Sequence, residues 1–187
     1  MTFWTQPDVS PTRQFRFKVT NGSGTWWWVS SCSKPSYEVS SEEYKLINHK
    51  FKYPGVATWN DVNLTIVDVG KTAKGLYEAL FSGGWNPKNT NNSPDGLSKR
   101  KMSNALNTMQ EGNSVSQSAN DFIIQQLNAE GNAVETWTLI NPFIKSTNFG
   151  QLDYSSDELV KLELVISYDY ATLSNLNVVT DSGTIDL

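Results

Sequence analysis

Alternation of apolar and polar side chains marks the beginning of the chain as β-structure. In residues 13–19 the apolar side chains Phe15, Phe17 and Val19 share one face, which is typical of a strand with one buried side. Asn-Gly-Ser-Gly at 21–24 is a hairpin turn signal, and residues 25–32 form the predicted partner strand. On that strand, the first and third side chains of Trp26-Trp27-Trp28 would face one way and the second the other.

Two more strands are predicted before the period changes. Residues 44–53 have a weaker strand pattern, which Pro54-Gly55 ends. Residues 59–68 alternate cleanly and predict a strand with three inward-facing side chains. These side chains are Val62, Leu64 and Ile66.

After Asp68 the apolar spacing changes from two to about 3.6 residues, which predicts an amphipathic helix over residues 71–82. Gly83-Gly84 ends it, and residues 85–96 are predicted as a polar loop. A second helix is predicted over residues 97–109, with Met102, Leu106 and Met109 on one stripe. The stripe predicted to pack on the sheet in the first helix consists of Ala73, Leu76, Tyr77, Leu80 and Phe81.

The last third of the chain returns to strands, predicted at 121–128, 133–140 and 158–170. Residues 142–152 are predicted as a loop, and the polar residues 171–187 as a tail. On the long strand 158–170, the even-numbered side chains form the apolar face.

Strands that are segregated from helices predict a β-rich α+β fold. We expect two packed antiparallel sheets, as a sandwich or partial barrel, with a flanking helix. The chain is predicted to be one domain, 1–187, with a helical and loop-rich segment at 69–120.

Composition narrows the function. Trp, Tyr and Phe number 7, 7 and 8, which disordered chains do not reach. The net charge is −4 and the pI about 5.0, which disfavours a general nucleic-acid-binding face. The charge is uneven, because residues 121–187 carry −8 and residues 1–120 carry +4.

Few residues offer chemistry. A single cysteine, Cys32, and a single histidine, His49, allow no intrachain disulfide and no multi-histidine or cysteine zinc centre. No Gly-x-Ser-x-Gly motif is present, and no apolar run approaches the ~20 residues of a membrane-spanning helix. The first residues do not have the pattern of a signal peptide, so we expect synthesis and folding in the cytoplasm. We therefore expect no enzyme activity, no cofactor, no metal and no membrane partner.

Three groups of polar or aromatic residues each have a purely structural interpretation beside a functional one. The cluster Trp26-Trp27-Trp28 could be core, a subunit-interface anchor or a sugar-stacking platform. Asp153, Asp157 and Glu158 lack the spacing of a calcium loop and indicate a solvated turn. Lys99-Arg100-Lys101 indicates a solvated helix face rather than a phosphate site.

Three segments together resemble the tail tube proteins of contractile-tailed bacteriophages. The first is the hairpin formed by residues 13–19 and 26–35, and the second is the strand 58–66 followed by the helix 71–82. The third is the most specific. It runs from Glu135-Thr136-Trp137 through Asn141-Pro142-Phe143 and Leu152-Asp153-Tyr154 to a strand that ends in Tyr168-Asp169-Tyr170.

The resemblance implies stacked hexameric rings that form a hollow tube, with a continuous β-barrel around the bore. Such a protein is a structural virion component of the phage tail, the conduit for genome delivery into the host. Its implied partners are its own copies, the tail sheath protein, the baseplate tube-initiating complex, the tape measure protein and double-stranded DNA that passes without specific binding. Type VI secretion tubes share the fold. The alternatives are a baseplate tube initiator or tube-end component of the same fold and, from another class, a carbohydrate-binding β-sandwich.

Within a tube, specific residues receive expected places. An acidic bore would repel DNA phosphates, so Glu135 and Glu163 are predicted to face the lumen. The helix 71–82 would lie on the outside of the ring, where a sheath would dock. Irregular segments around 36–43 and 85–96 are predicted to stack the rings. The sheath-facing residues are Lys71, Lys74 and Glu78, and the core or subunit-interface anchors are Trp26 and Trp28.

Overall fold

The computed structural model describes residues 12–21, 24–85, 96–107 and 121–174. In this part of the chain, two antiparallel sheets pack face to face, two helices flank one edge, and a separate two-stranded hairpin extends outward. The strands are β1 (Phe17–Asn21), β2 (Gly24–Thr25), β3 (Val29–Cys32), β4 (Ser36–Leu46), β5 (His49–Asn60), β6 (Val62–Val67), β7 (Phe122–Leu127), β8 (Ala133–Ile140), β9 (Phe143–Asn148), β10 (Lys161–Ser167) and β11 (Tyr170–Ser174). The helices are α1 (Thr72–Ser82) and α2 (Lys99–Asn107). The predicted β-rich α+β sandwich with a flanking helix is confirmed.

The first sheet has the strand order β11-β8-β7-β1-β2. Its register places Val19 opposite Ile124, Ile124 opposite Trp137, and Trp137 opposite Leu173. Directly opposed residues of antiparallel strands point to the same face, so this rung of apolar side chains faces the second sheet.

The second sheet has the order β3-β6-β10-β9. Leu64 lies opposite both Cys32 and Leu164, and Leu164 lies opposite Thr147. The predicted inward face of the strand 59–68 is confirmed, and that of 158–170 is confirmed from Leu162 to Tyr168, because these side chains are buried between the sheets. The ends of the second prediction are wrong: Val160 is only half-buried, and Tyr170 is 48% exposed because it already belongs to β11 of the first sheet. The buried side chains are Val62, Leu64, Ile66, Leu162, Leu164, Ile166 and Tyr168.

The helices cover the edge formed by β9. Leu76 and Ala79 of α1 and Leu106 of α2 are buried. The Asn21 side-chain amide donates a hydrogen bond to the Leu106 carbonyl oxygen at 2.9 Å, which ties α2 to the end of β1. Neither helix in the described part of the chain is long and apolar enough to cross a membrane.

The N-terminal strand predictions need correction. Phe15 is 74% exposed in a turn, so the strand begins at Phe17 and not at residue 13. The predicted strand 25–32 is also wrong, because a turn at Trp27-Trp28 divides it into β2 and β3, which belong to different sheets. The chain crosses from one layer to the other at this turn.

The predicted strand 44–53 contains a hairpin turn. Leu46 pairs with His49, so β4 and β5 meet at the two residues between them, and β5 continues through Pro54-Gly55 instead of ending there. Pro54 is tolerated because it lies at a bulge opposite Ser41. At this bulge the Ser40 hydroxyl accepts a hydrogen bond from the Val56 N–H at 2.9 Å and replaces a missing backbone partner. A Cβ at Gly55 would lie 2.4 Å from that hydroxyl, which explains the glycine.

Two C-terminal predictions also change. The predicted loop 142–152 contains the strand β9, and the predicted strand 158–170 is shorter than expected, since β10 spans only 161–167. Residues 170–174 of the segment predicted as strand end and tail form β11, which pairs with β8. Residues 175–187, Met109 and most of the predicted loop 85–96 lie outside the described residues.

Candidate assembly surfaces

The hairpin β4–β5 is exposed over almost its whole length. Every residue from 36 to 58 is exposed, whereas Trp59 at its base is half-buried against Tyr168, with ring centroids 6.0 Å apart. Tyr37 packs edge-on against Trp59 at 5.4 Å. The exposed apolar side chains of this hairpin are Tyr37, Val39, Tyr44, Leu46, Ile47, Phe51, Tyr53 and Val56.

Such a hairpin has little to stabilise it within its own subunit. Lys50 forms an ion pair with Glu43 at 2.9 Å and Lys52 approaches the same carboxylate at 3.8 Å, but all three side chains are well exposed. Exposed ion pairs contribute little, and an isolated two-stranded sheet is marginally stable in water. Its exposed apolar side chains therefore indicate a surface for another protein. The prediction that residues 36–43 are irregular is wrong, because they belong to β4.

Helix α1 presents a mixed aromatic and charged surface. Lys71, Lys74 and Glu78 are exposed, and Lys74 pairs with Glu78 at 3.5 Å. The predicted apolar stripe is only partly correct: Leu76 is buried and Ala73 and Leu80 are half-buried, but Tyr77 and Phe81 are exposed. They stack edge to face at 4.8 Å, and Trp85 packs on Phe81 at 5.5 Å. The helix lies over a sheet edge rather than a sheet face, so its stripe of buried side chains is narrower than the apolar stripe.

The three consecutive tryptophans have three different environments. Trp26 is buried in the core and meets Phe122 edge-on at 5.7 Å. Trp28 is partly buried against the same core, while Trp27 is 79% exposed. The core interpretation therefore holds for Trp26 and not for Trp27, because the turn that divides the predicted strand directs Trp27 to solvent.

The two glutamates predicted to face the lumen lie on different sheets. Glu163 is exposed on the outer face of the second sheet, where its carboxylate accepts a hydrogen bond from the Asn148 amide at 3.4 Å. Glu135 lies opposite Gln126, on the inward side of the first sheet. Its carboxylate meets Lys34 at 2.5 Å and accepts a hydrogen bond from the Trp137 indole N–H at 2.9 Å. The two carboxylates therefore do not project from one face.

The environment of Glu135 favours its charged form. Partial burial disfavours the carboxylate, but the hydrogen bonds from Lys34 and Trp137 outweigh burial, so the pKa of Glu135 lies below its ordinary value. Lys34 follows β3 in the second sheet, so this ion pair links the two sheets near their open edge.

Two further ion pairs hold the loops at the other side of the sandwich. Lys145 donates to Asp61 at 2.6 Å, which lowers the pKa of that carboxyl group. Lys99 and the Asn141 amide both donate to Asp169, and the pKa of Asp169 is lowered, chiefly by Lys99. The Asp169 contact joins the start of α2 to the segment between β10 and β11.

The remaining candidate residues show no assembled chemistry. Asp153 accepts hydrogen bonds from the Ser155 N–H and hydroxyl, which lowers its pKa and caps a local turn, as expected. Within the described residues, no group of three His, Cys, Asp or Glu side chains could hold a metal ion. Burial raises the pKa of the Cys32 thiol to about 12.

Comparisons with known proteins place this architecture among components of contractile injection systems. No protein-family model and no curated protein matches the sequence. Solved structures do match: the tube-terminating cap of the anti-feeding prophage is 20% identical with a TM-score of 0.57, and the alignment covers 93% of this chain and 99% of the cap chain. A chain of the extracellular contractile injection system PVC, in its sheath-tube complex, is 19% identical with a TM-score of 0.59, covering 94% and 99%. The PVC sheath/tube terminator is 19% identical with a TM-score of 0.58, and the alignment covers 89% of this chain and 99% of the terminator chain.

These similarities concern the fold. The chain has the fold found in tube and terminator components of contractile injection systems, which confirms at that level the resemblance seen in the sequence. The sequence did not reveal the long hairpin. Its strands are exposed on both faces, so they lack the alternation that identifies a half-buried strand.

Proposed function

We propose that this protein is a structural subunit of the tube of a contractile injection apparatus, and that it assembles as head-to-tail stacked hexameric rings around a bore. The observation that carries the proposal is a β-sandwich of this fold with a long apolar hairpin that stays exposed among the described residues. A closed ring of identical subunits requires such unlike, mutually complementary surfaces on each copy.

In this proposal the hairpin β4–β5 supplies the contacts between stacked rings. Its pairs of opposed side chains, such as Tyr44 and Phe51, would become buried against a neighbouring copy. Burial of apolar surface contributes about 25 cal/mol per Å². The hairpin would then be stable only in the assembly, which links its folding to ring stacking.

The sheets supply the contacts within a ring. The strands β11 and β2 end the first sheet, and β3 ends the second sheet at the side away from the helix-covered β9, so the outer edges of β11, β2 and β3 are proposed to pair with another chain. Pairing of such edges around six copies would produce a ring-wide β-barrel.

The outward surface of α1 is proposed to bind a sheath. Lys71, Lys74 and Glu78 are exposed there beside the aromatic side chains Tyr77 and Phe81. Aromatic groups with a charged rim are typical of interface anchors. We further propose a baseplate tube-initiating complex and a tape measure protein as partners in a phage tail, with DNA passing through the bore.

Glu163 is a better candidate than Glu135 for an acidic residue that lines the proposed bore. The Glu163 carboxylate is exposed, and six copies in a ring would place six like charges around the lumen. The Glu135 carboxylate is engaged by Lys34 within its own subunit, so little of its charge remains to repel DNA.

A tube-end role is the second candidate. It is favoured by the structural similarity to a tube-terminating cap and to a sheath/tube terminator. A tube-end protein would form single rings that add to a preformed tube but do not extend it.

Electron microscopy of the purified protein, alone and with a tube-initiating complex, tests the proposal. Tubes support a tube-body role, single rings support a tube-end role, and a monomer at all concentrations contradicts both. A variant in which a two-residue Asn-Gly turn joins Glu38 directly to Thr58 removes most of the hairpin at a directly opposed pair. It should remain folded but fail to stack into tubes, whereas Glu130→Ser in the β7–β8 turn should assemble like the natural protein. Glycan binding that Trp27→Ala abolishes would instead favour a carbohydrate-binding module.

A further inference from the structure

The tip of the hairpin has an unusual residue. Leu46 and His49 are paired, so Ile47 and Asn48 form a two-residue loop, and Ile47 has a φ of +53°. The first residue of such a loop is normally Gly, Asn or Asp, because a side chain at positive φ crowds the backbone. A β-branched residue is the least suited to this position.

Ile47 carries a second cost. It is 84% exposed, and the neighbouring Leu46 is 52% exposed, so the tip presents two aliphatic side chains to water. Within the described part of the subunit, neither the backbone strain nor the exposure is offset by a contact. Backbone strain of this kind persists where the surrounding contacts require it, and such positions cluster at functional sites.

An apolar cleft lies between α1, α2 and β9. Its volume is about 250 Å³. A cavity of roughly 150 Å³ is already large enough to take a benzene-sized group. The cleft is mainly apolar, with β9 contributing its polar rim. Its apolar lining consists of Leu76, Ala79, Leu80, Met102, Ala105, Leu106 and Ile144.

The tip cannot fill the cleft of its own subunit. Strand β4 has 11 residues, which extend over about 35 Å, and every hairpin residue up to 58 is exposed. The described residues of each copy therefore present one apolar tip and one apolar cleft, and the tip of one copy can meet the cleft of another. When the tip of one copy binds the cleft of the next, each new copy still offers a free tip or cleft at its outer end. Such a contact between two different surfaces can extend a stack of rings in one direction without limit.

We propose that Ile47, together with Leu46, inserts into the cleft between α1, α2 and β9 of a second copy of this chain in the adjacent ring. This proposal rests on the proposed tube function and specifies the stacking contact. The strained residue is then retained because its side chain is the anchor of that contact.

The first test separates the strain from the contact. Ile47→Gly removes the side chain and suits a positive φ, so the monomer should be at least as stable as the natural protein in urea denaturation. The concentration needed for tube formation should nevertheless rise about tenfold or more, because each stacking contact loses an anchor. Leu152→Gly, which removes an exposed aliphatic side chain from a loop outside both the hairpin and the cleft, is the matched control and should assemble like the natural protein. Unchanged assembly of Ile47→Gly would overturn the proposal.

The second test locates the contact. Ile47→Cys combined with Ser146→Cys places one thiol at the tip and one on the rim of the cleft. A short bismaleimide should then join assembled copies into a ladder of dimers, trimers and longer species. The natural Cys32 will react little, because burial raises the pKa of its thiol to about 12. Ile47→Cys with Glu130→Cys in the β7–β8 turn should give no ladder.

The outcomes distinguish this proposal from the tube function on which it rests. Rings or tubes that form without the tip-to-cleft ladder overturn the docking contact and leave the tube function intact. Failure of the unmodified protein to form rings under any condition overturns both. If the thiol at Ser146→Cys instead crosslinks to an added sheath protein, the cleft binds the sheath and the proposal is overturned.

Discussion

Replacing Glu135 by lysine should destabilise the subunit, whereas the same replacement at Glu163 should not. In the folded protein, Glu135 pairs with Lys34 and accepts the Trp137 indole hydrogen bond. Glu135→Lys would place two lysines together and leave the indole N–H without its acceptor. Glu163 is exposed on the outer face of β10, so its replacement removes only a long hydrogen bond from Asn148.

The contacts give the size of the effect. A hydrogen bond to a charged acceptor contributes about 1.5 kcal/mol. The ion pair adds at most about 1 kcal/mol, because the Lys34 side chain is 48% exposed and the attraction is screened by water. We expect Glu135→Lys to lower the free energy of unfolding by about 2–3 kcal/mol. In a chain of this size that corresponds to a fall in Tm of about 5–10 °C.

Urea denaturation of the monomer, followed by tryptophan fluorescence, measures this difference. Glu163→Lys should stay within about 0.5 kcal/mol of the natural protein. Glu135→Gln should fall between the two, since it keeps an acceptor for Trp137 but loses the charge. Equal stability of Glu135→Lys and Glu163→Lys would refute the role assigned to the ion pair.

The same interaction predicts a pH dependence. The pKa of Glu135 is lower in the folded protein than its ordinary value of 4.5, so the contribution to stability is fully present above that value. It is lost as the pH falls through the lower, folded-state pKa. The stability gap between the natural protein and Glu135→Gln should therefore be constant near neutral pH and close in acid. A gap that persists at the lowest pH where the protein is folded would contradict this reasoning.

Three further predictions follow from burial. Leu76→Ala should lower the free energy of unfolding by about 2–4 kcal/mol, because Leu76 is buried in the core. Tyr77→Ala on the same helix should lower it by less than ~1 kcal/mol and should weaken sheath binding instead. Urea denaturation measures the first effect and co-sedimentation with sheath the second. Glu163→Lys should leave tubes intact but slow DNA exit in ejection assays, and unchanged kinetics would remove this residue from the bore. Cys32 should react with a thiol reagent at pH 8 only after denaturation, and rapid labelling of the folded protein would show that the site is open.

The sequence alone determined the central sandwich strands β6, β7, β8 and β10 and the existence of both helices. Val62, Leu64 and Ile66 alternate strictly because one face of their strand is buried, and the same rule identified the even-numbered face of β10. The amphipathic period after Asp68 similarly identified α1 within one residue of its start. The local pattern of apolar and polar residues is enough to predict an element when one of its faces is buried and the other is exposed to solvent.

The tertiary structure decided the features that depend on distant partners. The hairpin β4–β5 has no buried face, so no alternation marks it, and the first residue of its loop is Ile47 instead of the Gly, Asn or Asp that would signal a turn there. Tyr77 and Phe81 belong to the apolar stripe of α1, but the helix lies at a sheet edge too narrow to cover them. In the sequence, Glu135 and Glu163 cannot be told apart, because each is an acidic residue in a predicted strand. The register of two different sheets turns the first toward Lys34 and leaves the second in solvent, and no local pattern contains that information.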